Sequence, residues 1–195
     1  MPPAPAIRTA RLLLRPFVAS DAGRVAELAG VFEIADTTIS IPHPYPAELA
    51  VDWIANHEQE PHRSHAVTLA ITEPAFGLVG CVELRDIDAE HAQAELGFWI
   101  GKPFWGLGYA TEAGAALLRL GYESFDLNRV YAHHMVRNPA SGRVLLKLGM
   151  RNEGLLRQRV RKWGRFEDVL AYAALRADMS SYPDAARVTS GGNLR

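Results

Sequence analysis

The sequence predicts a single α+β (mixed α/β) domain: a mixed, mostly antiparallel central sheet flanked by helices. Three observations predict it. The chain has 195 residues, the size of one ordinary domain. Apolar residues recur with period two in some segments and with helical spacing in others. In order, these segments give one antiparallel run of strands and then a strand–helix–strand–helix stretch, which one sheet with packed helices satisfies.

The first ten residues are rich in Pro and Ala and are expected to be loosely held. Residues 178–195 are expected to form a mobile tail, which leaves 11–177 as the domain. Arg11 to Arg15 reads as a short strand. Ser20-Asp21 looks like a helix N-cap before Val25, Leu28 and Ala29. Thr37 to Pro46 carries three prolines and reads as a loop. Ala47 to His57 reads as an amphipathic helix with Leu49, Trp53 and Ile54 facing inward. Strands follow at His65 to Ile71, Leu78 to Ile87 and Ala94 to Ile100. Lys102 to Gly108 is a compact loop, and Thr111 to Phe125 a helix. Arg129 to Val136 is a strand. Asn138 caps a helix whose first residue, Pro139, needs no N–H partner, and which ends at Gly149. Leu155 to Arg161 and Glu167 to Leu175 close the sheet, turning at Trp163-Gly164.

Composition narrows the function classes. The chain is 48% hydrophobic and 22% charged, which favours a packed core over disorder. Its formal net charge of −1 gives no general attraction to nucleic acid or anionic membrane, so neither is expected as a partner. No segment approaches a membrane span, and the start lacks a signal-peptide apolar region, so a cytoplasmic location is expected. Cys81 is the sole cysteine and lies in an apolar run, so it reads as a buried strand thiol. It can form neither an internal disulfide nor a cysteine zinc site, and no metal is expected.

The stretch Trp105-Gly106-Leu107-Gly108-Tyr109-Ala110-Thr111 is the most informative. Two glycines one residue apart let backbone approach a bulky ligand. They precede a helix whose first N–H groups lack partners and whose dipole favours a phosphate. On spacing alone, a tight turn that merely starts a helix fits equally well. A dinucleotide fingerprint fits less well, because Thr111 holds the third glycine position and Lys102 to Trp105 separate the loop from its strand.

Three runs together resemble a known family: Ala94 to Ile100, Trp105 to Ala113, and Asn138 to Met150. They look like the GNAT superfamily of N-acetyltransferases, within it the branch of RimJ/RimL-type ribosomal-protein N-terminal acetyltransferases. Glu153-Gly154, Arg157, Gly164 and Asp168 fall where that branch carries similar residues. The resemblance covers about Arg11 to Leu175. It implies a sheet that splays open near its middle, with acetyl-CoA in the gap as acetyl donor. Trp105 to Ala110 and Thr111 would wrap the pyrophosphate. Backbone groups of Phe98, Trp99 and Ile100 would pair with the pantetheine arm, and Asn138 would approach it. Trp105 stands where the broad superfamily carries Gln or Arg, so backbone N–H groups must do more of the phosphate binding.

Acetyl transfer to an amine requires a neutral amine, donors for an oxyanion and a protonated leaving thiolate. At pH 7 deprotonation costs about 1 kcal/mol for a protein α-amine and about 4.6 for lysine. Backbone N–H groups of the opened strand are the simplest oxyanion donors. Ser141, placed by the resemblance near the cofactor sulfur, is the expected proton donor to the thiolate; its alternative is to stabilise its own helix start. Tyr109 is the backup, although its loop position argues for packing. Glu95 is the expected base, directly or through a water, with a pKa raised by partial burial; otherwise it is a strand carboxylate paired with an arginine. His133 and His134 are adjacent on a strand, so a shared metal is disfavoured, while one of them could face the acceptor and assist proton transfer. Arg157, Arg159 and Arg161 alternate along one strand as a solvated face or a patch for an acidic partner. His43, Tyr45 and Trp53 lie where the resemblance places acceptor recognition.

The resulting expectation is an N-acetyltransferase acting by direct attack, without a Cys81 acyl-enzyme. A non-catalytic acyl-CoA-binding sensor or adaptor is the alternative, and a nucleotide redox protein a third class. The acceptor amine, a protein N-terminus or a small molecule, stays open, since fold does not fix substrate. A homodimer through the last strands is an expectation by analogy.

Overall fold

A computed structural model of the chain describes residues 6–59 and 66–181. The described strands are β1 (Ile7–Arg8), β2 (Leu13–Arg15), β3 (Val67–Glu73), β4 (Gly77–Asp88), β5 (Gln93–Ile100), β6 (Arg129–Met135), β7 (Arg151–Lys162) and β8 (Arg165–Leu175). They form one sheet in the order β1-β2-β3-β4-β5-β6-β8-β7. Every neighbouring pair is antiparallel except β5 and β6, which are parallel. A parallel pair needs a crossover, and the helix α4 (Tyr109–Ser124) supplies it. This is the α+β single-domain architecture that the sequence predicts.

Helices cover both faces. α4 presents Ala113, Ala116, Leu117 and Leu120 to the main core, where they meet Leu84, Leu96 and Val130 from the sheet. Helix α5 (Pro139–Lys147) adds Leu145 to the same core. Each such leucine contributes about 2 kcal/mol by leaving water. The opposite face carries α1 (Ala22–Ala29) and α3 (Ala47–Gln59), whose Val25, Ala29, Ala50 and Ile54 pack on Ala70, Leu78 and Cys81. Between them lies α2 (Phe32–Thr37), which the sequence reading did not foresee.

Differences from the predicted elements have local causes. Ile7 and Arg8, in the stretch expected to be loose, pair with β2, and Ile7 is buried. The expected strand start at His65 lies outside the described residues, as does the tail beyond residue 181. α4 begins at Tyr109, two residues before the predicted Thr111, because Gly108 in the left-handed conformation caps it. α3 is rotated so that Ala50 and Ile54 are buried while Leu49 is exposed. β7 starts earlier than predicted, and its register shifts between Leu156 and Val160. That bulge breaks the strict alternation expected of Arg157, Arg159 and Arg161, all of which are exposed.

Candidate active site

The sheet opens where β5 and β6 part. Their parallel ladder ends with Glu95 opposite Tyr131. Beyond it β5 follows β4 while β6 follows β8. Alternation of hydrogen-bonding direction fixes which backbone groups face the opening. Gly101 N donates to Val79 O at 2.8 Å, so Trp99 and Gly97 are the residues bonded to β4. Leu96, Phe98 and Ile100 therefore turn their polar groups away from β4. The Ile100 carbonyl is already used, since Trp105 Nε1 donates to it at 2.6 Å. The expected set of backbone partners thus loses Trp99 and the Ile100 carbonyl and keeps Phe98.

A cavity of about 600 Å³ fills the opening. Its walls include Phe98, Trp99, Ile100, Trp105, Gly106, Gly108, Tyr109, Ala110, Thr111, Asn138 and Ser141, all of them predicted. Gly106 and Gly108 have φ of 79° and 82°, a conformation in which a side chain is strained. The first helical bond of α4 runs from Glu112 N to Gly108 O at 3.0 Å. The N–H groups of Tyr109, Ala110 and Thr111 precede it and have no helical partner. Arg11 holds the loop from outside: Nη1 donates to Leu107 O at 2.9 Å, and Nε reaches the Glu112 carboxylate at 2.7 Å. Burial alone would raise the Glu112 pKa; hydrogen bonds from Thr9 and Arg11 outweigh it and lower it. Leu107, predicted as a binding residue, points its side chain to solvent and does not line the cavity.

A second cavity, of about 480 Å³, lies on the α1–α3 side and meets the first at Thr37, Thr38, Phe98, Trp99 and Ser141. Tyr45, Trp53 and Trp99 give it an aromatic wall. A charged cluster forms its floor. Arg85 Nη2 donates to Glu95 Oε1 at 2.7 Å and Nε to Oε2 at 3.2 Å, while Nη1 reaches Glu83 Oε1 at 3.2 Å. His133 Nδ1 is 3.2 Å from Glu95 Oε1. A Cβ at Gly97 would sit 2.6 Å from Glu83 Oε1, so the missing side chain makes room for this cluster. Burial acts to raise the Glu95 pKa, but the His133 and Arg85 hydrogen bonds and charges win and set it at about 2. This reverses the expected raised value, because the buried carboxylate has partners that favour its charged form.

Ser141 sits where the two cavities join. Asn138 caps α5 by accepting from Ser141 N at 3.3 Å, and its Nδ2 donates to Ser141 Oγ at 3.0 Å. The hydroxyl thus accepts from Asn138 and keeps its own proton to donate. His134 is enclosed: Nδ1 bonds Met135 O at 2.8 Å, and a Cβ at Gly142 would lie 2.6 Å from Nε2. Burial, with Glu83 beside it, pushes the Cys81 thiol well above its usual range, which disarms it as a nucleophile.

A family model described as an acetyltransferase (GNAT) domain matches residues 11–151. The chain belongs to the GNAT family. The N-acetyltransferase p20 of Bacillus licheniformis, itself uncharacterised, is 35% identical over 101 residues, 52% of this chain and 57% of p20. The ribosomal-protein-serine acetyltransferase of Escherichia coli is 31% identical over 98 residues, 50% of this chain and 55% of that protein. The match thus spans about half the length of these curated relatives. The crystal structure of the microcin C7 self-immunity acetyltransferase MccE, in complex with acetyl-CoA and AMP, superposes with a TM-score of 0.78. It is 21% identical, over 85% of this chain and 93% of that one, and shows the shared fold.

Several wall residues of this GNAT domain escaped the sequence reading. Arg143 and Lys147 of α5 place two cations on the larger cavity; their i, i+4 spacing beside Asn138 was a usable signal. Arg85 was not foreseen as the partner of Glu95, since that pairing depends on strand register. Lys162 is buried and donates to Ile41 O at 2.7 Å, and Trp163 stacks on Phe32 with centroids 5.4 Å apart. The β7–β8 turn thereby holds the 39–42 loop that walls the smaller cavity. Tyr45 and Trp53 line that cavity, whereas His43 bonds Gly30 O at 2.9 Å. Tyr109 is buried with the Arg11 guanidinium over its ring, which fits packing.

Proposed function

We propose that this chain is an acetyl-CoA-dependent N-acetyltransferase, transferring acetyl to a primary amine by direct attack. The observation that carries the reading is the junction of two cavities at Ser141. One is built from strand edge and helix N-terminus, the other from aromatic and charged side chains. The names of its GNAT relatives support the same chemistry.

The residues present fit acetyl-CoA. Phe98 offers unpaired backbone groups to an extended amide-bearing arm, as an added strand would require. The N–H groups at the start of α4 suit the pyrophosphate, with Arg143 and Lys147 as additional cations. Bound there, acetyl-CoA supplies a thioester that an amine can attack and a thiolate that can leave. Ser141 Oγ–H is oriented by Asn138 to give a proton toward the junction. Backbone N–H groups of the opened strand provide donors for negative charge. Cys81 takes no part, so no acyl-enzyme forms.

We place the acceptor among protein α-amines and small primary amines. The ribosomal-protein relative supports the first, and a RimJ/RimL-like role in the cytoplasm would follow from it. A homodimer would use the outer edge of β7, where Leu155 is exposed.

Titration calorimetry with acetyl-CoA, CoA and NAD tests the donor. Thiol release in the presence of an amine panel tests the transfer. Binding of acetyl-CoA and CoA with amine-dependent release is the expected result. Binding without release over a broad panel supports a sensor, and folded protein that binds neither CoA species overturns the reading.

A further inference from the structure

We infer that His133 is the group that takes the proton from the acceptor amine, held for that task by Glu95 and Arg85 as positioning residues. This rests on the transfer reading above.

Both oxygens of Glu95 are engaged, Oε1 by Arg85 and His133 and Oε2 by Arg85. An ionised carboxylate only accepts hydrogen bonds, and this one stays ionised with a pKa of about 2. It is a poor base for an ammonium, and it forces His133 Nδ1 to be the donor. The neutral ring then carries its lone pair on Nε2. That atom has no hydrogen-bond partner among the described residues, and the side chain is 18% exposed, on the wall of the cavity that Ser141 also lines.

Position in the sheet explains the access. Glu95 is in register with Tyr131, and His133, two residues further along β6, stands on the same face of the sheet and lines the smaller cavity. His134 has the same tautomer constraint from the Met135 carbonyl, but Gly142 closes off its Nε2. The groups facing His133 are Glu95 on β5, Arg85 and Glu83 on β4, Tyr131 on its own strand, and Asp52 and Tyr45 across the cavity. The β8 residue in register with it is Ala171, which carries no charge.

The step balances. The amine lone pair bonds the acetyl carbonyl carbon, the C–S bond breaks, and its electron pair leaves on sulfur. The proton lost from nitrogen goes to His133 Nε2, and the thiolate takes one from solvent, directly or relayed through Ser141 Oγ, which regains a proton from water as it gives up its own.

Two measurements decide it. In two-bond ¹H–¹⁵N spectra of histidine-labelled protein, neutral His133 is expected as the Nδ1–H tautomer. Glu95→Gln should shift it toward Nε2–H. An Nε2–H ring in the wild type, or no shift in Glu95→Gln, overturns the inference, and neither test needs a His133 variant to fold. For turnover the probes are acetyl-CoA with a Ser-initial tripeptide, 2-phenylethylamine and spermidine, using whichever releases thiol fastest. His133→Gln should lower kcat about 100-fold, with the KM for acetyl-CoA nearly unchanged. Wild-type turnover matched within about twofold by His133→Gln overturns the base alone. Wild-type protein that binds acetyl-CoA but releases no thiol with any probe overturns the transfer reading and the base with it.

Discussion

The two cavities that meet at Ser141 are made of different material. The larger cavity, the donor cleft of the proposed function, sets backbone features beside its side chains: the freed edge of β5, two glycines with φ near 80° and the first N–H groups of α4. The acceptor cavity is built from side chains carried by α1, α3, β4, β5 and β6. On the proposed reading, backbone groups would recognise what every acetyl-CoA shares, and side chains would select among amines. The donor side should therefore be broken by changes in backbone conformation, and the acceptor side by changes in charge.

The largest effect expected is on the acceptor side, from acid. The pKa of Glu95 in the folded chain, about 2, is below its ordinary carboxylate value of 4.5. A depressed carboxylate contributes stability that is complete above the unfolded pKa and is lost as pH falls through the folded one. The span amounts to about 3 kcal/mol, shared with Arg85 and His133. Urea midpoints at pH 7 and pH 3 should fall further for wild type than for Glu95→Gln. Equal losses in the two proteins would mean that the cluster is not a single coupled unit.

Next comes a backbone lesion on the donor side. Gly108→Val puts a β-branched residue at φ 82°, a strain of about 2 kcal/mol. Relaxing that strain moves the N–H groups at the start of α4. Acetyl-CoA affinity should fall about 30-fold by calorimetry. Unchanged affinity would show that side chains hold the donor after all.

The same contrast explains what was legible in the sequence. The glycine pair before α4 and the Asn138 cap are local signals, and Gly106, Gly108 and Asn138 do line the larger cavity. Leu107 was misplaced because a loop's period does not tell wall from solvent face. The acceptor cavity was opaque. That Arg85 meets Glu95 depends on the antiparallel register of β4 and β5. That His133 has no partner on β5 depends on where β6 leaves β5. α2 was missed because six residues give too short a pattern, yet its Thr37 lines both cavities. The pKa of Glu95 was predicted with the wrong sign for the same reason: burial was foreseeable and partners were not.

Ser141 belongs to both regions, and a smaller effect is expected there. Ser141→Ala removes a proton donor but leaves Asn138 as the cap of α5. Turnover should drop about tenfold, less than the roughly 100-fold or more that general acid catalysis usually supplies, because the leaving group is already good. Acetyl-CoA affinity should hold, because the cleft loses one hydroxyl and none of its backbone. Affinity falling in step with turnover would place Ser141 in donor binding.

The smallest effect tests the comparison most sharply. Arg143 and Lys147 are the cations on the donor cleft's α5 wall. If backbone does most of the phosphate binding, these side chains only add a screened attraction. Each exposed contact of this kind contributes up to about 1 kcal/mol, less in salt. The double variant Arg143→Ala, Lys147→Ala should therefore bind acetyl-CoA about fivefold more weakly at low ionic strength. At 0.5 M salt it should match wild type, because the Debye length is then only about 4 Å. A loss as deep as that of Gly108→Val, persisting in salt, would mean that the donor cleft is also a side-chain site. The division between a backbone donor half and a side-chain acceptor half would then fail.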